Sequence, residues 1–213
     1  NCSNMNIDNN KVKYLFDELD KIYFKNNIPV SIMVNNNNLS NIDFLNEYNI
    51  SNGSLLHIQN NNTQNLQSIF NSNFEIIKLD YVEDEYKISN SIKSISLYIK
   101  NQNHIESLNQ MLISEYIQSL ELYCNNFKGV IKNESLENIS SNITSLTFAN
   151  FDMTDNNLDL LHKNITCLSF FNCDNINNFI FLNNLKYLKI IHCNISTKQI
   201  NSIITSYEKI NPI

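Results

Sequence analysis

Apolar residues recur along the chain in a three-point signature: one apolar position, two variable residues, a second apolar position, one variable residue and a third. The copies are Phe74-Ile77-Leu79, Ile92-Ile95-Leu97, Ile117-Leu120-Leu122, Ile143-Leu146-Phe148, Ile165-Leu168-Phe170 and Leu185-Leu188-Ile190. Their middle residues follow one another at intervals of 18, 25, 26, 22 and 20 residues. The alternation between the second and third apolar positions is that of a strand with one buried face. A period of this length predicts one supersecondary unit per copy, stacked on its neighbours because no single copy buries its apolar face alone. Two weaker copies, around Ile32-Met33-Val34 and Leu56-His57-Ile58, place Pro29 or Gly53 at the first apolar position and extend the series upstream.

Between copies the spacing turns helical. Ile105, Leu108, Met111 and Leu112 predict a helix within residues 104–113, and Leu158, Leu160 and Leu161 another turn within 155–161. Val12, Leu15, Phe16, Leu19, Ile22 and Tyr23 form an amphipathic stretch suited to closing the first rung, and Ile200, Ile203, Ile204 and Tyr207 one suited to closing the last. The reading is one domain over residues 1–213, with a helical cap at 1–30, repeats at 31–195 and a second helical cap at 196–213.

The intervals lie close to the roughly 20 to 29 residues of leucine-rich repeats. Such repeats place Asn or Cys three residues beyond the last apolar position, where a short polar side chain serves the backbone of the turn. Asn125, Cys173 and Cys193 fit that rule, whereas Val82, Lys100 and Phe151 depart from it. The stretches Asn142-Ile143-Thr144-Ser145-Leu146-Thr147-Phe148 and Asn164-Ile165-Thr166-Cys167-Leu168-Ser169-Phe170 resemble leucine-rich repeats of the FNIP kind over residues 86–195. The tetrapeptide naming that kind is absent, its nearest echo being Phe171-Asn172-Cys173-Asp174. The predicted fold class is therefore α/β: a leucine-rich-repeat solenoid with a curved parallel sheet on its concave side and short helices or irregular turns on its convex side. The resemblance implies a binding scaffold without catalytic residues.

Alternation also sorts the outward positions into columns. One holds Ile76, Ser94, Ser119, Ser145, Cys167 and Tyr187; the next Lys78, Ser96, Glu121, Thr147, Ser169 and Lys189; the third Asp80, Tyr98, Tyr123, Ala149, Phe171 and Ile191. The first two are rich in hydroxyls and the third is aromatic or apolar in most rungs. An apolar ridge beside a polar floor suits a protein or peptide partner. The predicted contact set is Tyr98, Tyr123, Phe171, Ile191, Glu121, Tyr187 and Lys189. A register shifted by one residue would instead turn the aromatic column inward.

Charge and composition narrow the choices. The net charge is -6 and all 15 basic residues are lysines, so neither a basic patch nor an arginine fork is offered to phosphate, and a nucleic-acid partner is not expected. No apolar run is long enough to span a bilayer, and Asn1-Cys2-Ser3-Asn4 lacks the regions of a signal peptide, so membrane insertion is not expected either. Asn makes up roughly a fifth of the chain, a strong bias against average usage, and tracts such as Asn35 to Asn38 and Asn60 to Asn62 read as polar loop filler. Five cysteines, an odd number, favour reduced thiols and a cytoplasmic setting. The alternative is a secreted or surface recognition or adhesion domain of a pathogen or parasite, glycosylated at sequons such as Asn133-Glu134-Ser135, Asn142-Ile143-Thr144 and Asn164-Ile165-Thr166. Cys167, Cys173, His192 and Cys193 lack paired zinc-ligand spacing, and Cys173 with Cys193 is a candidate disulfide. The run Asp80, Glu83, Asp84, Glu85 lacks the alternating ligands of a calcium loop. With Gly53 and Gly129 the only glycines, no phosphate loop or nucleophile elbow exists, and no cofactor or enzymatic activity is expected.

Overall fold

The fold is that of a computed structural model, which describes residues 9–35, 43–59, 67–79, 87–106, 108, 112–154, 158–176 and 184–210. Strands β1 (Ser31–Asn35), β2 (Leu55–Gln59), β3 (Ile76–Leu79), β4 (Ser94–Ile99), β5 (Ser119–Cys124), β6 (Ser145–Ala149), β7 (Cys167–Phe171) and β8 (Tyr187–Ile191) lie in one open sheet in sequence order. The pairings are parallel. Each copy of the signature supplies the second and third apolar positions of one strand, and the two weaker upstream copies become β1 and β2. Two compact units are distinguished along the chain, Asn1–Leu97 and Tyr98–Ile213.

In the first unit Ile32, Leu56, Ile77 and Ile95 fall in register across β1 to β4, and all four are buried. The helix Asn9–Ile22 packs Val12 and Phe16 against this core. The Phe16 ring lies 5.5 Å from that of Tyr48, 5.8 Å from Phe44 and 6.1 Å from Phe74. Tyr48 donates its hydroxyl to Asp17 at 2.8 Å, and burial with that bond pushes its phenol up to about 12. Leu15, Ile22 and Tyr23, expected on the inner face, are exposed. Leu15 and Ile22 share a helix face turned by about 90° from the Val12–Phe16 stripe, and Tyr23 follows the helix end.

In the second unit Leu120, Leu146, Leu168 and Leu188 form one in-register row and Leu122, Phe148, Phe170 and Ile190 the next. Those of β5, β6 and β7 are almost wholly removed from solvent. Phe148 stacks on Phe170 at 5.9 Å and meets Phe151 edge-on at 5.4 Å. The helix predicted within 104–113 is observed at Gln102–Glu106, with Ile105, Leu108 and Leu112 buried; Met111 lies outside the described residues. The turn predicted within 155–161 is a 3-10 turn at Leu158–Leu160. The C-terminal helix Thr197–Ile210 forms, and Gln199 Nε2 donates to the Ile176 carbonyl at 2.8 Å. Its Ile200 and Ile204 remain 42% and 50% exposed, and Leu188 and Ile190 of β8 are only half-buried. The expected cap therefore covers the last rung incompletely.

Asparagines outside the tracts read as loop filler have structural roles. Asn126, Asn150, Asn172 and Asn175 adopt positive φ, as do Asn27 and His192. Asn is the side chain that best tolerates this region in a chain almost without glycine. Asn150 and Asn172 directly follow β6 and β7, and their amide hydrogens bond the Phe171 and Ile191 carbonyls at 2.9 and 2.8 Å. Their side chains join into a ladder: Asn172 Nδ2 donates to Asn150 Oδ1 at 2.6 Å, and Asn150 Nδ2 to the Cys124 carbonyl at 2.7 Å. A second series stands just before the signature. Asn73, Asn142, Asn164 and Asn184 donate Nδ2 to the carbonyls of Tyr48, Glu115, Ser141 and Lys163 in the rung before, at 2.7 to 3.2 Å. Asn36 to Asn38 and Asn60 to Asn62 lie outside the described residues, while Asn35 closes β1.

The predicted polar position also needs correction at Asn125, which is exposed. Four residues, 125–128, intervene between β5 and Gly129, and it is Gly129 that bridges to Phe151. A Cβ on Gly129 would stand 2.3 Å from Cys124 Sγ and 2.8 Å from Ile105 Cδ1, both buried. Gly129→Ala is therefore expected to lower stability by about 1 to 3 kcal/mol, as overpacking does. A urea midpoint equal to that of the unchanged chain would contradict this packing.

Candidate partner-binding face

The inner residues of β5 to β8 commit the alternate side chains to the other face of the sheet. The register aligns Ser119, Ser145, Cys167 and Tyr187; then Glu121, Thr147, Ser169 and Lys189; then Tyr123, Ala149, Phe171 and Ile191. These are the predicted columns, and the aromatic residues do not turn inward with Leu120 and Leu122. Upstream, in the first unit, Met33, His57, Lys78 and Ser96 align. Asp80 and the acidic residues 83–85 lie outside the described residues, as does Cys2.

All the predicted contact residues belong to the second unit. Tyr98 and Tyr123 stack with centroids 5.0 Å apart and planes at 17°. The Tyr123 hydroxyl donates to Glu121 Oε2 at 3.4 Å, and burial, followed by the Glu121 charge, pushes its phenol up to about 12. Tyr123 is thus a neutral donor throughout the ordinary pH range. Across the face, Lys189 Nζ sits 5.0 Å over the Phe171 ring, a contact worth about 0.5 to 1 kcal/mol where water reaches it. Tyr187 stands 69% exposed at the last strand, and Ile191 is half-buried.

Two expected features differ. The ridge is interrupted at Ala149, which is buried between Tyr123 and Phe171 on the flanking strands, so the apolar column has a notch. The floor is not evenly open either, since Ser96 and Thr147 are buried. Period-2 alternation assigns a face but not a depth, and a short side chain between taller neighbours sinks below the surface.

Cys173 and Cys193 occupy equivalent places beyond β7 and β8, and the Cys173 amide donates to Cys193 Sγ at 3.3 Å. Both thiols are free, as are Cys124 and Cys167. Burial pushes the Cys124 thiol up to about 12 and that of Cys173 up to about 11. Among the described residues no group of three or more His, Cys, Asp or Glu side chains is placed to hold a metal ion. A recess of about 380 Å³ lined by Gln102, Ile105, Val130, Lys132, Glu134, Ser135 and Asn138 contains none of the predicted contact residues. No helix among the described residues is long and apolar enough to cross a membrane.

The signal missed in the sequence was positional. Asn immediately before the first apolar residue at Phe74, Ile143, Ile165 and Leu185 marks the inter-rung bonds, and it is visible once the signature is aligned. No family model matches the chain, and neither curated proteins nor solved structures give a significant match.

Proposed function

We propose that the chain is a leucine-rich-repeat array that works as a protein-interaction module, docking a protein or peptide on the exposed face that Tyr98 and β5 to β8 form in the second unit. The observation that carries this reading is the row of Tyr98, Tyr123, Phe171 and Ile191, held beside Glu121, Tyr187 and Lys189 by a register that the buried leucines fix. Large, pre-positioned aromatic side chains lose little entropy on binding, and hydroxyls around them adapt to polar groups of a partner. The net charge of -6 favours a protein over a polyanion.

Panning a displayed library of random dodecapeptides tests it. The unchanged chain is expected to enrich peptides that the double variant Tyr123→Ala, Phe171→Ala fails to hold, while the far-ultraviolet spectrum and melting of that variant stay those of a folded chain. Enriched peptides that bind both proteins equally would remove this face from consideration.

A further inference from the structure

The face carries opposite charges at its two ends. Glu121 on β5 and Lys189 on β8 share one in-register column, with only Thr147 and Ser169 between them. Three strand spacings separate them, about 14 Å at roughly 4.8 Å per step. Each charge is flanked by aromatic surface: Glu121 by the Tyr98–Tyr123 stack and Lys189 by the Phe171 ring beneath it.

Resting on the reading above, we propose that the occupant is an extended peptide crossing the strands, with a basic side chain at Glu121 and an acidic one at Lys189, four residues apart. An extended chain advances about 3.3 Å per residue, so four residues cover the span. Side chains at i, i+2 and i+4 face the same way, so both charged groups point to the sheet together. The middle one meets Thr147 and Ser169 beside the Ala149 notch, where a small or apolar group fits between Tyr123 and Phe171. A helical segment would need about nine residues for the same span and satisfies its own backbone. The half-buried hydroxyls of Ser119, Ser145 and Ser169 offer partners to the open backbone of an extended chain.

The same dodecapeptide library separates the possibilities when panned on the unchanged chain, on Glu121→Lys and on Lys189→Glu. The unchanged chain is expected to enrich peptides with Lys or Arg and Asp or Glu at a fixed spacing of four. Those peptides should bind each charge-reversed variant at least about tenfold more weakly, and more weakly as salt rises. Glu121→Lys should itself select two acidic residues at that spacing. Peptides that need Tyr123 and Phe171 but carry no charge spacing would overturn the inference and leave the binding face standing. Peptides indifferent to Tyr123 and Phe171, or no enrichment at all, would overturn both.

Discussion

Phe148→Ala is expected to destabilise the chain by about 3 to 5 kcal/mol, the range for emptying a fully buried aromatic site. The ring is fully buried, stacked on Phe170 and edge-on to Phe151, in the third apolar position of its rung. Its loss leaves a cavity between neighbouring rungs that packed strands cannot collapse to fill. Tyr187→Ala on the same sheet serves as the contrast: the side chain is 69% exposed, and its removal should stay within about 0.5 kcal/mol. Urea denaturation of both variants checks the pair. Equal shifts in midpoint would mean that the apolar signature does not define the buried side.

The second large effect is expected at Asn150. It combines a φ of 62° with a side-chain bond to the Cys124 carbonyl, and it accepts from Asn172. Asn150→Ala should cost about 2 to 3 kcal/mol, from the left-handed backbone together with the lost bond. Asn150→Gly restores the backbone and should recover roughly half of that loss. Asn172→Ala should couple to Asn150→Ala by at least about 0.5 kcal/mol, because the two amides share a hydrogen bond. Additive losses, or equal effects of alanine and glycine, would show that the ladder is not holding the turns.

The strands were legible because the period of the signature and the period of the pleat agree. Placing hydrophobic residues at i, i+3 and i+5 leaves only one face of a short strand to bury, and lateral stacking follows. Even Ile32 and Leu56, whose rungs begin with Pro29 or Gly53 in place of an apolar residue, pair in register with their neighbours. The connections were harder to read. At β5 the four residues 125–128 push the next position to Gly129, and no local pattern distinguishes an insertion there from a ladder Asn at 125.

Asparagine hid its role through abundance. With so many copies, the ones that bond the rung before could be told from loop residues only by their place ahead of Phe74, Ile143, Ile165 and Leu185. On the candidate face, the identity of the columns followed from alternation, but depth did not. Ala149 and Thr147 are buried because of what stands on the adjoining strands, which depends on register between copies and not on either copy alone. The terminal helices show the same limit. Ile200 and Ile204 have the spacing of a buried stripe and remain exposed, since amphipathic spacing says which face is apolar but not how much of it finds a neighbour.

Backbone proton contacts across the strands, recorded by nuclear Overhauser spectroscopy on labelled, deuterated chain, probe the underlying arrangement most directly. Parallel cross-strand contacts should link Leu120 to Leu146, Leu146 to Leu168 and Leu168 to Leu188, one rung at a time. Antiparallel contacts, or any of these leucines paired outside that series, would contradict the arrangement on which the proposed face depends.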